Sequence, residues 1–166
     1  MVTSTAADAI SYFGKGYHAF IASDEASDLD KVVASIQDEL RDEPLCVIDG
    51  RNPTNLSAFA NDVVRACEQL LSTIGAPCPE RPDMLSTWLS HLQHCFHAED
   101  RQGYLLVNHI DDVIRAQETF QIEGPFREVM QFNDDVAIAW LGSRNIILEI
   151  HQYERPFYLS HRVFWL

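Results

Sequence analysis

A chain of 166 residues, 46% hydrophobic and 10% aromatic, has the length of one domain and enough apolar surface for a core, which excludes a disordered chain. Twelve basic against twenty-five acidic residues give a net charge of −13, so the expectation is a basic protein partner, no nucleic acid and no membrane. No stretch approaches the roughly 18 apolar residues of a membrane span, and Met1–Ile10 lacks the basic start and apolar run of a signal peptide, so a cytoplasmic location is expected.

Ala6–Phe13 has a short helical pattern, broken by Gly14-Lys15-Gly16. Tyr17–Ala22, aromatic and aliphatic, suits a first buried strand. Leu29, Val32, Val33, Ile36 and Leu40 then recur at helical spacing, with Ser27 or Asp28 as the expected N-cap and Pro44 beyond the end. Leu45–Asp49 reads as a second strand, closed by the Gly50–Pro53 turn. Thr54 or Asn55 can cap a helix whose apolar face runs from Leu56 to Leu71. After the proline-rich loop Gly75–Pro82, a third helix is expected from Asp83 to about Ala98, with Met84, Leu85, Trp88, Leu92 and Cys95 inward. Tyr104–Asp112 follows as the expected central strand. Helical or turn-like segments at Asp112–Thr119 and Gly124–Gln131 lead to the strand Val136–Leu141, a helix at Arg144–Tyr153 and a terminal strand at Arg162–Leu166. Cys46, Cys67, Cys78 and Cys95 form no CxxC pair and read as buried, reduced thiols.

Strands without alternation, separated by helices of about ten residues or more, predict a three-layer α/β domain: one parallel sheet with helices on both faces, spanning residues 1–166. With that strand order, Tyr104–Ile114 (YLLVNHIDDVI), Val136–Asn145 (VAIAWLGSRN) and Arg155–Leu166 (RPFYLSHRVFWL) resemble the nucleotide-binding core of the AAA+/STAND P-loop ATPases. The resemblance implies a P-loop NTPase-like core, with Gly142-Ser143 in the sensor region and an end where a helical lid would begin, hence no lid. It places Asn108 where the family has its magnesium-associated aspartate and His109 where it has its catalytic glutamate.

The phosphate-binding motif is degenerate. A P-loop, G-x-x-x-x-G-K-[ST], uses glycines so that backbone N–H groups approach phosphate, a lysine for charge and a hydroxyl for magnesium. After the first strand this chain has Ser23-Asp24-Glu25-Ala26-Ser27-Asp28-Leu29-Asp30-Lys31, with no glycine and four carboxylates. The first expectation is therefore a catalytically inactive ATPase-like domain, without cofactor, that serves as a protein-interaction or regulatory module, as a homodimer or as part of a larger assembly. An alternative is a nucleotide switch with an unconventional site built from Asn108, His109, Asp111 and Ser143. Another, resting on charge alone, is an acidic inhibitor or nucleic-acid mimic.

Other constellations are weaker. His91, His94 and His97 follow one another at about a helical turn and could share a metal, but no zinc-finger spacing accompanies them. Cys67 and Cys95 lack the glycine-flanked turn of a nucleophile, and Ser143 lacks the second glycine of G-x-S-x-G. Arg144, Arg155 and Arg162 could meet the acidic Asp24–Glu43 segment of a second copy, or pair within their own chain. Phe164 and Trp165, in an apolar end, belong either to a buried strand beside Tyr17–Ala22 or to a contact surface.

Overall fold

The computed structural model describes residues 4–80, 84–158 and 160–166. Strands β1 (Ala19–Ala22), β2 (Leu45–Asp49), β3 (Gly103–Asn108), β4 (Val136–Gly142) and β5 (Arg162–Trp165) form an all-parallel sheet ordered β2-β3-β4-β1-β5. The central strand is thus β4, buried along its whole length, and not the Tyr104 strand, which lies one place in from the edge. Both are continuously apolar because both faces of the sheet are covered, so hydrophobicity does not distinguish them.

Alternate side chains of each strand enter two separate cores. On one face, Ala19, Ile21, Leu106, Ala139 and Leu141 pack against α1 (Ala6–Gly14) and α2 (Ala26–Glu39). On the other, Phe20, Leu105, Val107, Ile138 and Trp140 pack under α3 (Leu56–Thr73), α4 (Leu85–Ala98), α5 (Asp111–Ala116), α6 (Glu123–Phe132) and α7 (Arg144–Ile150). Phe164 of β5 is fully buried in the first core, and β5 runs parallel to β1 with Ile21 opposite Phe164. Burial of a side chain of that size stabilises by roughly 1.5–3 kcal/mol. The apolar end is therefore a strand of the sheet.

Local chemistry sets the helix starts. Thr5 and Asp8 form a reciprocal capping box at α1, and the Asn55 side chain accepts from the Ala58 N–H (2.8 Å) at α3. The expected cap of α2 is corrected: helix begins at Ala26, with Glu25 at the cap position and no side-chain cap bond. Met84 is likewise corrected, since it precedes α4 and is 60% exposed rather than inward. Pro82 and Asp83, expected at the loop end and helix start, lie outside the described residues. All four cysteines are unpaired, with Cys67 and Cys95 buried, but Cys46 is half-buried and Cys78 exposed.

Candidate functional site

In open parallel sheets, ligands meet the edge formed by the carboxyl ends of the strands. Here that edge is made by Ala22, Asp49, Asn108, Gly142 and Trp165. Only Ser23, Asp24 and Glu25 connect β1 to α2. They are tied to β4 and α7: the Ser23 N–H donates to Gly142 O (3.1 Å), and Asp24 Oδ1 accepts from the Arg144 N–H (3.2 Å). The Leu166 N–H donates to Ala22 O (2.8 Å), and the Arg144 guanidinium donates to Leu166 O.

Asp30, on α2, reaches the end of β3. Its carboxylate accepts from Asn108 Nδ2 (3.1 Å) and from His109 Nε2 (2.7 Å), with Arg51 Nη2 at 3.8 Å. A carboxylate offers only acceptors, so the His109 proton on this bond is on Nε2. The bond from His109 is the main cause holding the Asp30 carboxyl below the usual carboxylate range, with Arg51 and Asn108 adding to it against partial desolvation. Burial opposes the charge of Asp49, but its bonds from the Arg51 side chain and backbone outweigh this and hold its carboxyl low as well.

His109 is buried and has a left-handed backbone, φ 51°, with its N–H held by Asn108 Oδ1 (3.0 Å). That turn brings the His109 carbonyl against Gly50, where a Cβ would lie 2.5 Å from the oxygen, so only glycine fits. The other two candidates form a second cluster. Asp111 accepts from Ser143 N–H (2.9 Å) and Ser143 Oγ–H (2.5 Å), while Ser143 Oγ accepts from the Ile146 N–H (3.3 Å) as the cap of α7. Asn108 and His109 are thus joined to each other through Asp30, Asp111 to Ser143, and each side chain is engaged by its own chain.

The histidine row has separate partners. His91 Nε2 lies 2.7 Å from Pro77 O, His97 Nδ1 lies 3.1 Å from Asp135 Oδ1, and His94 is exposed. Among the described residues, no group of three or more His, Cys, Asp or Glu is placed to hold a metal ion. Burial pushes the thiols of Cys46 and Cys67 up to about 11 and about 12 and raises Cys95 too, which opposes thiolate chemistry at neutral pH.

Arg155 is not a free intersubunit arginine. It is 17% exposed and binds the fully buried Glu123 (2.5 and 3.2 Å) and also Glu149 (3.1 Å). Arg162 lies over the rings of Tyr12 and Phe164. Phe164 is core, which corrects its assignment as a contact residue, and Trp165 is half-buried. The sequence reading missed Asp30 as the partner of His109, and Glu123; an acid opening an apolar-faced helix was the available signal for the latter.

No family model and no curated protein sequence matches the chain. Solved structures match at the level of fold. The Aeropyrum pernix ORC1 protein in complex with DNA is 10% identical with a TM-score of 0.61, covering 99% of this chain and 45% of its own. The Aeropyrum pernix ORC2 protein in ADPNP-ADP complexes is 10% identical with a TM-score of 0.60, covering 97% and 45%. Cdc6p from Pyrobaculum aerophilum is 12% identical with a TM-score of 0.57, covering 90% and 39%. The chain shares its fold, an all-parallel α/β sheet flanked by helices, with these three proteins and spans less than half of their length. The expectation of no nucleic acid is corrected by these matches, because a protein of this fold is seen with DNA. Net charge is a sum over the whole surface, whereas phosphate is met by local groups, so −13 does not exclude a nucleic-acid partner.

Proposed function

We propose that this chain is a catalytically inactive ATPase-like domain that works as a protein-interaction and regulatory module in a larger assembly. The observation that carries the reading is Asp30: a carboxylate on α2, bonded to Asn108 and His109, stands at the carboxyl end of β3, the edge where open parallel sheets meet their ligands. With Asp24, Glu25 and Asp28 it makes four acids in nine residues. A carboxylate about 4–6 Å from a phosphate opposes binding by roughly 1–4 kcal/mol at effective dielectrics of about 20–80. Lys31 does not offset this, since it faces Asp28 at 4.0 Å in solvent.

The acidic surface fits a basic partner, the kind of protein that also holds DNA, and ORC1 of this fold is in complex with DNA. Nucleic acid thus belongs to the assembly we propose. Sedimentation over a concentration series assigns the contact: a reversible dimer identifies a second copy, a persistent monomer a different protein. The reading itself is tested by ATP turnover with and without duplex DNA. It expects none above background in either case. Turnover that disappears in His109→Ala would replace it with the nucleotide-switch reading.

A further inference from the structure

At the opposite edge of the sheet, below the amino ends of β4, β1 and β5, a cavity of about 250 Å³ is lined by Tyr12, Tyr17, Phe132 and Asp134, with His18 and His161 among its walls. We propose that this cavity binds an organic cation, a guanidinium or alkylammonium group carried by a protein side chain or a free small molecule. The proposal is independent of the nucleotide reading.

Aromatic faces supply the first part of the argument. Tyr12 and Tyr17 are stacked with centroids 4.9 Å apart, and Phe132 is 78% exposed at the cavity. Aromatic faces carry the negative part of the ring quadrupole and attract cations stripped of water. The chain already uses this property beside the cavity, where the Arg162 guanidinium lies 5.3 Å from the Tyr12 centroid.

Charge supplies the second part. Asp134 contributes a carboxylate, and the last turn of α6, a ten-residue helix, contributes Met130, Gln131 and Phe132, at the end where the helix dipole is negative. The histidines add no opposing charge. His18 Nδ1 accepts from the Ile138 N–H (2.9 Å), so its proton is on Nε2 and is donated to Asn133 O. His161 Nε2 donates to Met130 O (2.8 Å), and burial keeps this imidazole neutral well below pH 7. Ligand pockets for drug-sized molecules run to about 300–1,000 Å³, so this smaller cavity suits a single headgroup.

The test is an NMR titration of isotope-labelled protein with choline, with the neutral tert-butyl analogue of choline, and with short peptides carrying trimethyllysine or arginine. The expected result is saturable shifts at Tyr17, Phe132 and Asp134 with the cations and at least about tenfold weaker binding of the neutral analogue. Tyr17→Ala and Asp134→Asn, both at exposed positions, should each weaken choline binding several-fold while the remaining spectrum stays folded. Tighter binding of a peptide than of choline assigns a protein side chain as the source, and the reverse order a small molecule. Equal binding of the neutral analogue, or no shifts with any cation at millimolar concentration, would overturn the proposal.

Discussion

The Asp30 carboxylate holds two groups at the end of β3, and one of them, the His109 ring, is buried. Asp30→Ala leaves both donors to find water. Because Asp30 is 51% exposed, the loss should stay near 1 kcal/mol, read as a lower urea midpoint with unchanged slope. The Glu123–Arg155 pair is different in kind, since Glu123 has no contact with solvent. Arg155→Ala strands a buried charge and should cost about 3–5 kcal/mol, whereas Glu123→Leu combined with Arg155→Met should cost less than the single change. A single change costing under about 1 kcal/mol would show that Glu123 finds other partners or water at little cost. Charge reversal at Arg155 is for the same reason a test of folding, not of an interface.

At the scale of elements, β5 shows how an edge strand is held: hydrogen bonds to β1 on one side and Phe164 driven into the core shared with α1 and α2. Phe164→Ala should cost about 3–5 kcal/mol, measured by chemical denaturation. A cost below about 1 kcal/mol would make this end peripheral. The strand was legible in the sequence as an apolar run that a chain end does not normally carry, and β2 was legible to the residue because Pro44 and Gly50 bracket it. Boundaries blurred where side chains act on backbone: β1 starts at Ala19, beyond the exposed Tyr17 and the His18 ring that bonds Asn133 and Ile138. Which strand is central was not legible, because β3 and β4 are equally apolar. Nor was the Asp30–His109 pair, which joins residues 79 apart and leaves no periodic trace in one sequence.

Across the whole molecule, acid should act in two steps. His18, His151 and His161 surround Phe20 or one another, and burial lowers all three, His161 to about 4 with a further push from neighbouring His18. Asp134 and the Met130, Asn133 and Ile147 carbonyls work against the shift, and Arg127 adds to it at His161. Between the ordinary value of 6.5 and about 4 the unfolded chain binds more protons than the folded one. Stability is therefore full above pH 6.5 and falls as pH drops through that window. The lowered carboxyls of Asp30 and Asp49 act later, losing their contribution only below the ordinary 3.8. Melting temperatures across this range should decline first in the histidine window, and a flat profile there would contradict the buried neutral histidines.

In the function proposed above the carboxyl edge of this sheet receives no nucleotide, which thermal unfolding with increasing magnesium-ATP and magnesium-GTP can check. A ligand that binds only the folded state stabilises it by RT ln(1 + [L]/Kd), so even a weak site shows at millimolar concentration. No saturable change is expected for either nucleotide. A saturable stabilisation above about 1 kcal/mol would contradict it.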